Sequence, residues 1–118
     1  FKHVNDTYGH KEGDNVIIGL SDLLRNGIAE RNPKASAGRW GGEEFMLLLP
    51  FDLEYAKLAA ADIVRDFAGL EFPMAGHQTV SVGVTTAIEG ESLDSLLVRV
   101  DKALYEAKRT GKNRFVVL

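Results

Sequence analysis

An α+β fold with largely antiparallel strand pairing and flanking helices is the class this sequence predicts. Three observations predict it: three stretches with apolar residues at helical spacing, two strand-like arms joined through Gly41-Gly42, and one alternating segment over residues 79–86. A hairpin set inside an alternating order of helices and strands brings antiparallel pairs into the sheet.

Residues 1–13 are polar and punctuated by Asn5-Asp6, Gly9 and Gly13, which reads as loop and turn. From Asp14 onward Val16, Ile17, Leu20, Leu23, Leu24 and Ile28 recur at helical spacing, with Asp14 at the N-cap position and Pro33 as the break. Residues 36–40 form one hairpin arm. The unbroken apolar run 45–49 forms the other, as expected of a strand buried on both faces. Gly41-Gly42 suits a tight turn that needs positive φ, and Pro50 ends the second arm. Leu53, Ala56, Ala60, Ile63, Val64 and Phe67 outline a second helix.

Residues 79–86 predict a strand with Val80, Val82 and Val84 toward a core and Ser81 and Gly83 on the other side. Ser92 is placed to cap a third helix with Leu93, Leu96, Leu97, Val100, Leu104 and Ala107 on its buried stripe. Gly111 is placed to stop it. Residues 115–118 give a short final strand. No repeat or linker interrupts the chain, so residues 1–118 read as a single domain.

Composition narrows the function. The chain has 118 residues, no cysteine and a net charge of −3. A chain this size buries roughly two thirds of its unfolded surface and needs no staples. The absence of cysteine excludes a disulfide framework and a thiolate zinc site. The acidic balance argues against a duplex nucleic-acid binder. No apolar run approaches the ~20 residues of a membrane span, and without a basic n-region followed by an apolar h-region no secretory signal is expected.

Three polar clusters carry chemistry. Lys2, Asn5, His10 and Asp14 read either as turn chemistry with an N-cap or as an anion site whose carboxylate and amide face a base edge. A carboxylate accepts two parallel N–H bonds, which guanine offers and adenine does not. Glu43 and Glu44 beside two glycines read either as solubilising charge or as ligands for a hard cation such as Mg2+. Lys108, Arg109, Lys112 and Arg114 read either as cations facing water at a helix end or as a phosphate clamp. His3, His10 and His77 lack metal-ligand spacing, and Trp40 reads as a packing residue.

Taken in order, Phe1-Lys2-x-x-Asn5-Asp6-x-x-Gly9-His10-x-x-Gly13-Asp14, Arg39-Trp40-Gly41-Gly42-Glu43-Glu44-Phe45, Ser81-Val82-Gly83-Val84 and Asp101-x-Ala103-Leu104-Tyr105-x-Ala107-Lys108-x-x-Gly111-Lys112-Asn113 resemble the GGDEF family of diguanylate cyclases, in its GGEEF variant. The resemblance implies a palm-like, ferredoxin-type sheet related to nucleotidyl cyclases. It implies condensation of two GTP into cyclic di-GMP with release of pyrophosphate, by a homodimer that uses Mg2+ or Mn2+ in bacterial second-messenger signalling. By motif position, Asn5 and Asp14 would contact guanine, and Phe1, Lys2, Lys108 and Lys112 would hold phosphates. Glu43 and Glu44 would be the catalytic and metal-binding acids.

Departures from the pattern carry further expectations. The family's strand with an additional metal-ligating Asp would precede Phe1, so the chain reads as N-terminally truncated and impaired alone. Residues 32–35, Asn-Pro-Lys-Ala, lack the family's Arg-x-x-Asp pattern, and Arg31 stands one place early, so no product-inhibition site is expected. Lys112 stands where the family often has Arg. The resemblance also implies a sensory or regulatory domain in the parent protein, no nucleic-acid partner and a cytoplasmic location. The alternative it leaves open is an inactive relative that binds GTP or cyclic di-GMP and regulates a partner domain.

Overall fold

The structure, a computed structural model, describes residues 2–29 and 34–118. In chain order the elements are α1 (Lys2–Tyr8), α2 (His10–Leu24), a π turn (Arg25–Ala29), β1 (Ser36–Gly41), β2 (Glu44–Leu48), α3 (Leu53–Ala68), β3 (Glu71–Phe72), β4 (Gly76–His77), β5 (Val82–Val84), α4 (Leu93–Arg109) and β6 (Phe115–Val117). The mixed helix-and-strand class follows the sequence. The pairs β1–β2 and β3–β4 are antiparallel, and β5–β6 is parallel; each is a separate two-stranded ladder among the described residues. The parallel pair has a local cause. Helix α4 connects its strands, and a helical crossover is what parallel strands require.

The chain divides into two compact units: Phe1–Pro50 with Gly69–Gln78, and Phe51–Ala68 with Thr79–Leu118. In the first unit the expected opening loop is instead helical, and Asp14 lies inside α2 rather than at its N-cap. Gly9, with φ 90 and ψ 166, separates the two helices. Its N–H donates to the Asn5 carbonyl at 2.9 Å, and its own carbonyl accepts from Gly13 N–H at 3.2 Å. Helix α1 shows no apolar period, and among its described side chains Val4, which is 1% exposed, is the buried one. A helix of seven residues is marginal by propensity, so burial rather than sequence pattern sustains it. Val16, Leu20 and Leu24 of α2, with Phe72 of β3, are the other buried apolar residues described in this unit.

The hairpin forms where expected, but its turn is Gly42-Glu43, one residue later than the glycine pair suggested. Gly42 takes φ 43 there. Strand β2 is half-buried at Phe45, Met46 and Leu47 and exposed at both ends, not buried on both faces. Among the described residues no further strand pairs with either edge of the hairpin. Trp40, expected to pack, is 59% exposed beside a register shift between Arg39 and Gly41. The pair β3–β4 has no counterpart in the sequence reading, since two-residue strands present no period.

In the second unit α3 starts behind Asp52, whose Oδ1 accepts the Tyr55 N–H at 2.9 Å. It buries Ala60, Ile63 and Phe67. The strand expected over residues 79–86 shrinks to three residues; Val84 is buried as the valine-inward reading expects, and the side bearing Gly83 is covered as well, by α4. A Cβ on Gly83 would lie 2.5 Å from Leu104 N and 2.7 Å from Val100 O. Helix α4 is capped as predicted, with Ser92 Oγ accepting from Ser95 N–H at 3.1 Å. Its buried residues are Ala103 and Ala107, while Leu93 is 68% exposed. Small residues there let strand and helix backbones approach closely.

Arg99 fastens α4 to the segment after β5. Its Nη2 and Nη1 donate to Glu91 Oε1 at 2.6 Å and Oε2 at 2.8 Å, and its Nε donates to Thr85 Oγ1 at 2.7 Å. Hydrogen bonds from Arg99, then from Ile88 N–H, hold the Glu91 carboxyl at about 2, against an ordinary 4.5. Protonation in the unfolded chain therefore precedes protonation in the folded one as pH falls. The stabilisation is fully present above pH 4.5 and is lost on acidification toward 2. Melting temperature is expected to fall across that window. Glu91→Gln should flatten that part of the profile, and an unchanged acid slope in the variant would exclude Glu91 as its source.

Candidate active site

The guanine candidates Asn5 and Asp14 lie on α1 and α2, on either side of the bend at Gly9. That bend returns α2 past α1, so the Asn5 side-chain amide lies against Gly13, the residue preceding Asp14. Asp14 is exposed and Asn5 half-buried, which leaves both side chains a route to a ligand. Of the phosphate candidates at this end, Lys2 opens α1 and Phe1 lies outside the described residues.

Glu12 belongs to this region, although the sequence reading passed over it. It is 3% exposed, a buried carboxylate on α2. It accepts from Asn15 Nδ2 at 3.0 Å, from Ala75 N–H at 2.8 Å and from Met74 N–H. The Asn15 bond, then those from Ala75 and Met74, keep its carboxyl below the usual range against the opposing effect of burial. A buried carboxylate is retained where such donors compensate its lost hydration. Glu12 thereby fastens the first turn of α2, next to Asp14, to the turn between β3 and β4. Its only sequence signal is an acid three residues before Asn15.

Glu43 sits in the hairpin turn and Glu44 opens β2; both are exposed. Arg39 holds this bend closed. Its Nε donates to the Gly42 carbonyl at 2.8 Å, and its Nη2 donates to the same oxygen. The guanidinium is thus anchored on the backbone of the turn that carries Glu43 and adjoins Glu44. Two exposed acids on one bend suit a hard divalent cation, which takes one or two carboxylates together with phosphate oxygens.

Lys108 lies exposed in the last turn of α4, and Lys112 lies exposed beyond the helix end. They therefore do not share one helical face. Gly111, Lys112 and Asn113 all have positive φ, at 132, 61 and 50. Lys112 N–H donates back to Ala107 O at 2.9 Å, closing the helix terminus. Arg109 is engaged by Glu106 at 2.7 Å, whereas Lys108 and Lys112 make no ion pair among the described residues. Of the departing segment at 31–35, Arg31 to Pro33 fall outside the described residues, and Lys34 lies in a turn. No described helix is long and apolar enough to cross a membrane.

Comparison with known proteins gives the family. The family model described as diguanylate cyclase, GGDEF domain, matches residues 1–114. Diguanylate cyclase DgcM of Escherichia coli K12 is 43% identical over 115 residues, covering 97% of this chain and 27% of that protein. Diguanylate cyclase VdcA of Vibrio cholerae is 40% identical over 129 residues, covering 100% of this chain and 36% of that protein. The chain spans well under half the length of either relative. The solved active GGEEF domain of a diguanylate cyclase from Vibrio cholerae matches with a TM-score of 0.87 at 34% identity, over 98% of this chain and 74% of that one. The GGDEF domain of DgcB from Caulobacter crescentus, solved with c-di-GMP, matches with a TM-score of 0.87 at 33% identity, over 98% and 70%. The motif order, the acidic bend and the matched fold lead to one assignment: the chain belongs to the diguanylate cyclase GGDEF domain family.

Proposed function

We propose that residues 1–118 act as one GGDEF domain that condenses two GTP into cyclic di-GMP. In each of two steps the 3′-hydroxyl of one GTP attacks the α-phosphorus of the other, the α–β phosphoanhydride breaks, and pyrophosphate leaves. The observation that carries this reading is the pair Glu43–Glu44, exposed on a bend that Arg39 holds closed. Mg2+ or Mn2+, when bound by these acids, would neutralise charge on the triphosphate and favour ionisation of the attacking hydroxyl.

The other residues position the substrate. Asp14 accepts the paired N–H groups of guanine, and Asn5 completes the base contact. Lys108 and Lys112 offset the charge of the terminal phosphates, with Lys2 and the backbone of Phe1 against the phosphates at the opposite end of the motif series. Phosphoryl transfer asks mainly for such positioning and charge neutralisation. The two substrates sit on separate copies, so the active form is a homodimer. A sensory or regulatory domain elsewhere in the protein would control that meeting, in the cytoplasm.

Full-length protein given GTP and Mg2+ is expected to form cyclic di-GMP with two pyrophosphates per product, read by chromatography and pyrophosphate release. GTP binding without turnover would overturn the cyclase reading in favour of a regulatory binding domain. Asp14→Ser is expected to reduce the preference for GTP over ATP by about tenfold or more, because the paired acceptors for guanine are gone. An unchanged preference would remove Asp14 from base recognition.

A further inference from the structure

We propose that Gly13 is a positioning residue for base recognition: its missing side chain is the seat in which the Asn5 amide is held. This rests on the reading of Asn5 as a guanine contact. A Cβ built on Gly13 would lie 1.5 Å from Asn5 Oδ1 and 2.7 Å from Asn5 Cγ, so the amide occupies the space where any other residue would place its side chain. The position is otherwise a poor one for glycine. It lies inside α2, where alanine is the better helix former.

The backbone on both sides is held. Gly13 N–H donates to Gly9 O, Gly9 N–H donates to Asn5 O, and Glu12 is bound to Asn15 and to the backbone N–H groups of Met74 and Ala75. Helix α2 therefore cannot retreat from a new methyl group. The Asn5 side chain can, by rotating about χ1. Gly13→Ala is accordingly expected to leave the fold standing while it displaces the amide from the base. The cost appears in recognition rather than in stability, which separates a positioning role from a structural one.

The test is a cycle of Gly13→Ala, Asn5→Ala and the double variant in the full-length protein, with KM for GTP, kcat, the GTP-over-ATP preference and melting temperature as readouts. Gly13→Ala is expected to raise KM for GTP by about tenfold and lower the preference similarly, with kcat little changed. The double variant should be no worse than Asn5→Ala, since the new methyl group then fills the vacated seat. An unchanged KM in Gly13→Ala beside a raised KM in Asn5→Ala would overturn the proposal alone. An unchanged KM in Asn5→Ala would overturn the base-reading role of Asn5 and the proposal with it. Additive losses in the double variant would also overturn it. Should Gly13→Ala fail to fold, recovery of the Asn5→Ala melting temperature in the double variant supports the seat, and continued unfolding refutes it.

Discussion

Glu43→Gln is expected to lower turnover by about a thousandfold or more while the melting temperature stays near that of the parent protein. The side chain is exposed in the hairpin turn, so the change removes a charge without opening a cavity. The amide keeps the shape of the carboxylate but not its anion, and a divalent cation loses one of its two candidate protein ligands. About 4 kcal/mol of transition-state stabilisation corresponds to that loss of rate. GTP affinity should fall far less than turnover, because the base and terminal phosphates are assigned to other residues. Steady-state assays of full-length Glu43→Gln with GTP and Mg2+ decide the matter. Turnover within a few fold of the parent would remove Glu43 from the reaction and leave the acidic bend without a chemical role.

The second large effect concerns stability. Gly83→Ala is expected to destabilise the protein by about 3 kcal/mol, lowering the melting temperature by roughly 10 °C or more. The added methyl would fall within 2.5 Å of Leu104 N and 2.7 Å of Val100 O, both backbone atoms of α4 that no side-chain rotation can move aside. Relief requires β5 and α4 to separate, which exposes the buried Ala103 of α4. Gly38→Ala is the matched control. It is also a strand glycine, with open space around its position, and should melt near the parent temperature. Thermal denaturation followed by circular dichroism compares the two directly. Equal melting temperatures would contradict the packing of β5 on α4. The same substitution disturbs the helix that carries Lys108, so loss of activity is expected to accompany loss of stability.

Gly83 and Gly13 share a physical logic that only the folded chain displays. Each stands where another residue would fit the local pattern, a serine or threonine in the alternating strand or an alanine in the helix. Each is held to glycine by a contact from elsewhere. With Gly83 the contact is backbone, so a side chain is expected to cost stability. With Gly13 it is a rotatable side chain, so a side chain is expected to cost function.

What the sequence determined by itself was whatever depends on neighbours in the chain. Apolar spacing placed the bodies of α2, α3 and α4; Ser92 marked the start of α4; the glycine-rich turn located the hairpin; and the ordered motifs identified the family from end to end. Tertiary structure decided what depends on distant residues. It made a helix of residues 2–8 by burying Val4, tied Glu12 to a turn 63 residues away at Ala75, and turned the Gly83 face of β5 toward α4. It also cut the strand over 79–86 to the three residues that β6 pairs. The reason is that periodicity and turn chemistry are written in local torsions and side-chain directions. A buried carboxylate's donors, a missing Cβ's occupant and the face a strand presents to a helix are set by packing, which no window of adjacent residues contains.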